Sequence, residues 1–336
     1  MAPDVQAAVR DGAQHGGVAI AAAGRAGGAF RRAGGQEDPP DPVEAFRRTF
    51  APSRRSRGDS VSGQAGAVVI DIALLGTVKI AVRSGEGATD VALSYLERSL
   101  LAALACAPGT VVSTERLADM LWDGPPPSGA RTRVHGLVSS VRKRVAAAGG
   151  DALVLATDPS GYVLCVEPER VDAECFRALM LQASDAVERG ERDSATECWQ
   201  RALGLWRGPA FDGLRPHAFQ IEALALEEMR MTAWENCFDA DLRSGRYERV
   251  IPELTRQRAR HPGRERLVAQ LMIALHATDR HAEALGTYRA LRQHLRDEYG
   301  MSPGVRVSKI HELLLRGPSE MGELLATLPG CHALTG

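Results

Sequence analysis

The chain has 336 residues, 44% of them hydrophobic and 25% charged, which suits a globular protein of two or three domains. Its formal net charge of −1 excludes any argument from bulk charge for a nucleic-acid or membrane partner, so such a partner has to be read from local patches. No apolar run approaches the roughly 20 residues of a membrane span, and "VAIAAAG" is too short and weak for a signal-peptide core, so a cytoplasmic location is expected.

Residues 1–66 are rich in Gly, Ala, Pro and Arg, with too few apolar residues for a core, and read as a disordered tail. That tail holds nine arginines against seven acids, too small an excess for strong affinity for DNA. Order begins near Ala67. "AVVIDIALLG" and "TVKIAVRSG" are β-rich runs, and "ATDVAL" reads as a third short strand. "SYLERSLLAALACAPG" has helical spacing at Leu96, Leu100, Leu101 and Leu104, and Pro108–Gly109 ends it.

"VVSTERLADMLWDG" predicts a second helix, with Ser113 as N-cap, Glu115 in the first turn and Leu117, Met120 and Leu121 as its apolar side. Gly124 and the prolines Pro125, Pro126 and Pro127 stop it. "SGARTRVHGLVSSVRKRV" follows as a third helix carrying five cations and no acid. "ALVLATDPSGYVLCVE" then reads as a hairpin turning at Asp158–Gly161. Strands, three helices and a hairpin are the order of a winged helix-turn-helix with an N-terminal sheet.

From Asp172 the pattern is helical, over 172–189, 193–206, 216–243, 246–260, 264–277, 281–298 and 303–315. "GRYERVIPEL" from Gly245 and "DRHAEALGTY" from Asp279 are offset by 34 residues, the period of tetratricopeptide (TPR) helix pairs. The fold class expected is therefore mainly α: a winged helix-turn-helix over 67–167, a TPR-like helical domain over 168–316, and a flexible tail over 317–336.

The third helix carries the functional reading. At about 100° per residue, Val138, Val141 and Val145 fall close to Val134, making one apolar stripe for packing. Thr132, Gly136, Ser139 and Lys143 point away from it, with His135 and Ser140 between. Arg131 and Arg142 flank one side of the stripe, Arg133 and Arg144 the other. A helix with a small polar centre and cationic margins suits a DNA major groove. Marginal arginines meet phosphates, and the central Thr, Ser, His and Lys side chains reach base edges.

"VVSTERLADMLWDGPPPSGARTRVHGLVSSVRKRV" and "DPSGYVL" resemble the OmpR-type winged helix of the Streptomyces antibiotic regulatory proteins (SARP family). "ALGLWRGPAF", "HPGRERLVAQLMIALHATDRHAEALGTYRALRQHL" and "DEYGMSPGVRVSKIHELLL" resemble that family's bacterial transcriptional activation domain. The resemblance covers about 67–316. It implies a DNA-recognition helix from Arg131 to Arg144, and a loop from Pro125 through Ser128 to Gly129 that faces RNA polymerase holoenzyme. It further implies that Arg98, Ser113 and Tyr162 hold phosphates or position the wing. A homodimer on promoter direct repeats, recruitment of polymerase and a nucleoid-associated cytoplasmic location follow from the same resemblance. The chain departs from the family where Leu96, Ser140 and the segment before the wing turn lack the usual basic residue.

No chemistry of catalysis is expected, nor any cofactor or metal. Val78, Arg142 and Ser308 precede the three lysines, so no Walker A loop exists, and no serine has glycine at both −2 and +2. The histidines form no H-E-x-x-H, and His276 and His281, five apart, are poorly spaced for two ligands on one helix face. Six scattered cysteines without a C-x-x-C read mostly as small buried residues of a reduced protein. Two other readings stay open: a TPR-type adaptor with a degenerate winged helix, and a sensor holding a ligand in its concave helical surface.

Overall fold

The computed structural model describes residues 68–85, 87–316 and 321–328. The tail expected over 1–66 lies outside the described residues, as do 317–320 and 329–336 of the tail expected after 316.

The first sheet is antiparallel, with β1 (Val69–Ala73) on β2 (Lys79–Ser84) and β2 on β3 (Gly87–Asp90). Ile72 opposes Ile80 on one face and Asp71 opposes Ala81 on the other, so the paired strands are buried on both sides. The third strand is shorter than the sequence suggests; Val91 still donates its N–H to Ile80 O at 2.9 Å, and its side chain is buried in the core.

Three helices follow: α1 (Tyr95–Ala105), α2 (Thr114–Leu121) and α3 (Ala130–Ala147). α1 starts on a capping box, in which Ser94 Oγ accepts from Glu97 N and Glu97 accepts from Ser94 N. The second sheet has β6 (Gly161–Leu164) at its centre, between β5 (Leu155–Asp158) and the two-residue β4 (Val112–Ser113) just before α2. Asp158 closes the hairpin by accepting from Ser160 N and Oγ at 2.9 and 2.6 Å. A Cβ on Gly161 would stand 2.0 Å from Val112 O, so only glycine lets β6 cross β4 this closely. The arrangement is a winged helix-turn-helix.

The second half is helical: α4 (Asp172–Glu188), α5 (Arg192–Leu203), α6 (His217–Arg243), α7 (Tyr247–Arg260), α8 (Glu265–Ala277), α9 (His281–Tyr299), α10 (Val305–Leu315) and α11 (Met321–Thr327). The sequence echo falls on the starts of α7 and α9, each preceded by a left-handed residue, Gly245 at φ 72° and Asp279 at φ 60°. Part of the segment expected to be a flexible tail is helix α11. Leu324 and Leu328, one turn apart, are buried in the core beside α8 and α10, and that burial orders it.

Two apolar cores divide the molecule, and their border does not coincide with the end of the winged helix. One runs from the first sheet through α1–α3 into α4, α5 and the first part of α6. The other holds the end of α6 with α7–α11. The β1–β2 turn is gripped by the helical half. Leu74 and Leu75 donate their N–H groups to the buried Asp172 carboxylate at 2.7 and 3.1 Å. Arg207 N donates to Leu75 O at 2.9 Å, and Phe211 N to Leu74 O at 2.8 Å. A Cβ on Gly76 would approach Arg207 Cβ to 3.2 Å, which is tight packing of one chain on the other. α5 stops at Leu203, short of the 206 expected, and the segment after it runs along the β1–β2 turn.

The cysteines are less uniform than expected. Cys175 and Cys237 are buried, Cys106 and Cys198 half-buried, and Cys165 exposed; Cys331 lies outside the described residues.

Candidate DNA-binding surface

α3 is seated by its valines. Val134, Val138, Val141 and Val145 are essentially inaccessible, packed among Leu100, Leu104, Leu117 and Leu121. Burial of each contributes roughly 1.5–3 kcal/mol. The stripe therefore fixes which side of α3 faces out. Gly129, at φ 79°, precedes the helix and offers no side-chain cap, and the first turn of α3 carries no acid of its own.

Thr132, Arg133, Gly136, Ser139 and Lys143 are brought together on that outer side, all exposed. The side chains of Thr132, Arg133, Ser139 and Lys143 have no partner among the described residues. The cationic margins differ from the sequence expectation of arginines free to meet phosphates. Arg131 pairs with Glu115 of α2. Arg142 donates from Nε to Leu155 O at 2.7 Å and from an η nitrogen to Thr157 Oγ1 at 2.8 Å, which ties α3 to the wing. Arg144 donates to Glu97 at 3.0 Å and to Ala92 O at 3.0 Å. The helix margins lie against α1, α2 and β5, which supply these carboxylate and carbonyl acceptors. The Arg131–Glu115 pair is exposed on both sides and is worth little, so it exchanges readily; the Arg144–Glu97 pair has a buried carboxylate and does not.

Glu97 organises this corner. Burial pushes its carboxyl up. Hydrogen bonds from Ser140 Oγ, from Ser94 N–H and from Arg144 outweigh that and hold it below the ordinary value. Ser140 is thus a support of α3, 2.5 Å from Glu97 Oε1, rather than an open polar group. The sequence reading missed Glu97, although "SYLE" carries the S-x-x-E signature of a capping box. It missed Arg116 as well, an exposed cation in the first turn of α2 without a side-chain partner among the described residues.

The remaining positions divide by burial. Ser113 caps α2, accepting from Arg116 N at 3.1 Å. Tyr162 is buried in the wing, and its hydroxyl meets His135 Nδ1, the two rings edge to face at 5.8 Å. His135 is therefore tethered to the wing. Arg98 is half-buried on α1, its Nε without a partner among the described residues. Pro125, Pro126, Ser128 and Gly129 are exposed and Pro127 is half-buried. The base of their loop is fixed, because Asp123 Oδ1 accepts from His217 N, the first residue of α6, at 2.8 Å. Beside it Arg215 N donates to the Tyr95 hydroxyl at 3.0 Å.

Among the described residues, no three metal-ligating side chains converge, and no helix is long and apolar enough to cross a membrane.

Comparison with known proteins bears on both halves. Residues 88–164 match the family model for the C terminal of transcriptional regulatory proteins, and 171–315 the bacterial transcriptional activator domain. Regulatory protein DnrI of Streptomyces peucetius is 36% identical over 257 residues, covering 74% of this chain and 92% of that protein. Transcriptional regulatory protein EmbR of Mycobacterium tuberculosis is 34% identical over 249 residues, covering 74% of this chain but only 63% of EmbR. A solved structure of Mycobacterium tuberculosis EmbR in complex with a low affinity phosphopeptide superposes with a TM-score of 0.69 at 33% identity. The match covers 78% of this chain and 69% of that one.

Proposed function

Because the chain belongs to the SARP family of winged-helix transcriptional regulators, we propose that it activates a secondary-metabolite gene cluster by binding promoter direct repeats and recruiting RNA polymerase. The observation that carries this reading is the outer face of α3. Thr132, Arg133, Gly136, Ser139 and Lys143 stand exposed in one row on a helix anchored by four buried valines. A major groove admits such a helix, with Arg133 and Lys143 toward phosphates or guanines and the small residues allowing close approach.

In this reading residues 67–167 form the DNA-binding domain and 168–316 the activation domain. The Pro125–Gly129 loop, exposed and rigid at its Asp123 base, touches polymerase. Two copies on adjacent repeats strengthen each other's binding by raising effective concentration. The protein works in the cytoplasm, on the nucleoid, without catalysis of its own.

A gel-shift titration against salt tests it. The protein must retain one promoter fragment far better than random DNA of equal length, and Arg133→Ala with Lys143→Ala must weaken that retention. Equal, weak retention of every fragment would favour the adaptor reading. That reading draws on the internal engagement of Arg131, Arg142 and Arg144.

A further inference from the structure

His276 lies in the last turn of α8 and His281 opens α9, so the pair spans a turn between two helices rather than one helix face. The five-residue spacing that argues against a shared ion on one helix therefore does not apply. Their Nδ1 atoms are 2.8 Å apart, with ring centroids at 4.6 Å and ring planes at 54°.

The 34-residue echo gives this turn a sister for comparison. His276, Asp279 and His281 correspond to Leu242, Gly245 and Tyr247. In the sister turn Leu242 is buried, Tyr247 packs on the same core, and Gly245 takes its left-handed backbone without a side-chain penalty. At the second turn all three identities change together. The apolar pair becomes two imidazoles. The glycine becomes an aspartate that keeps the left-handed φ of 60° despite its Cβ. Its carboxylate lies 3.8 Å from His281 Nε2. That carboxylate stands on the Nε2 side of the ring, and Nδ1 is the nitrogen turned toward His276.

The spacing discriminates between geometries. Two imidazoles bound at right angles, each about 2.0–2.1 Å from one ion, stand about 2.9 Å apart, whereas a tetrahedral pair stands about 3.4 Å apart. The two Nδ1 atoms stand at hydrogen-bond distance, which is also close to the right-angled case preferred by nickel(II) and copper(II).

We propose that His276 and His281, through their Nδ1 atoms, form a two-ligand site for a divalent ion of the nickel or copper kind, with Asp279 orienting His281 and water completing the coordination. The ion ties the end of α8 to the start of α9, as the packing of Leu242 and Tyr247 ties the sister turn.

The test is calorimetric titration of the tag-free full chain with nickel chloride, then copper chloride, with magnesium chloride as control. Saturable one-to-one binding of nickel or copper is expected, and none of magnesium. His276→Ala and His281→Ala should each abolish it, and Asp279→Asn should weaken it by about tenfold. The double variant His276→Leu/His281→Tyr rebuilds the sister turn's pair. It should keep cooperative thermal melting and lose both the binding and the nickel-induced rise in Tm seen for the parent chain. If neither metal binds one-to-one, or if binding survives in the double variant, the two histidines are only a hydrogen-bonded pair and the site does not exist.

Discussion

The guanidinium of Arg207 meets the carboxylate of Asp172, and that carboxylate, fully buried, also accepts the N–H groups of Leu74 and Leu75. One side chain of the helical half thus satisfies two backbone donors of the β1–β2 turn and one cation. Removing it by Asp172→Ala leaves all three without their acceptor. The expected loss is about 3–5 kcal/mol of folding stability, read from chemical denaturation. A loss within about 0.5 kcal/mol would mean the turn finds other partners.

Asp172 carries a pH signature as well. Burial pushes its carboxyl up to about 6, against the opposing pull of Arg207 and of the backbone N–H groups. The unfolded chain releases this proton near the ordinary value of 3.8, the folded chain only near 6, so between the two the folded state binds more protons. Its contribution to stability is therefore fully present below about pH 4 and falls as pH rises toward 6. The check is the difference in denaturation free energy between the parent chain and Asp172→Asn across that window, which should shrink as pH rises.

Glu97 predicts the opposite slope. Its folded value lies below the ordinary 4.5, so its contribution is present above that pH and is lost as pH falls through the lowered value. Glu97→Gln should remove this acid sensitivity and cost about 1–3 kcal/mol, because Ser140 and Arg144 lose a charged acceptor. Thermal melts of both proteins between pH 3 and 7 decide it.

The outer and marginal cations of α3 should separate in DNA binding. Lys143→Ala or Arg133→Ala should lower the logarithmic salt slope by about 1 if the side chain meets a phosphate. If it reads a base, specificity relaxes at one operator position by about 1–3 kcal/mol. Arg144→Ala should instead lower the melting temperature, since its partner Glu97 is buried, and leave the salt slope unchanged. A salt slope that falls with Arg144→Ala and not with Lys143→Ala would reverse the assignment of the two faces.

Local pattern carried much of this. The valine period of α3 and the Asp158–Gly161 turn need only neighbours along the chain, and both are where the sequence places them. What escaped was set by distance. Asp172 meets Leu74 across 98 residues, and nothing in either segment announces the other. The engagement of Arg142 and Arg144 depends on how closely β5 and α1 pack against α3, which periodicity does not encode. His276 and His281 stand on either side of a helix break at Thr278–Arg280, which the expected helices 264–277 and 281–298 already imply.

α6 begins on Asp123 in the winged helix and ends in the second core, a rod of 27 residues and about 40 Å. A fragment cut after the wing would strip β1 and α2 of the cover that α4 and α6 supply. Dissection of the molecule into working pieces would have to run through the middle of this rod, and a graft of the first half onto another scaffold would need to carry the rod's opening turns with it.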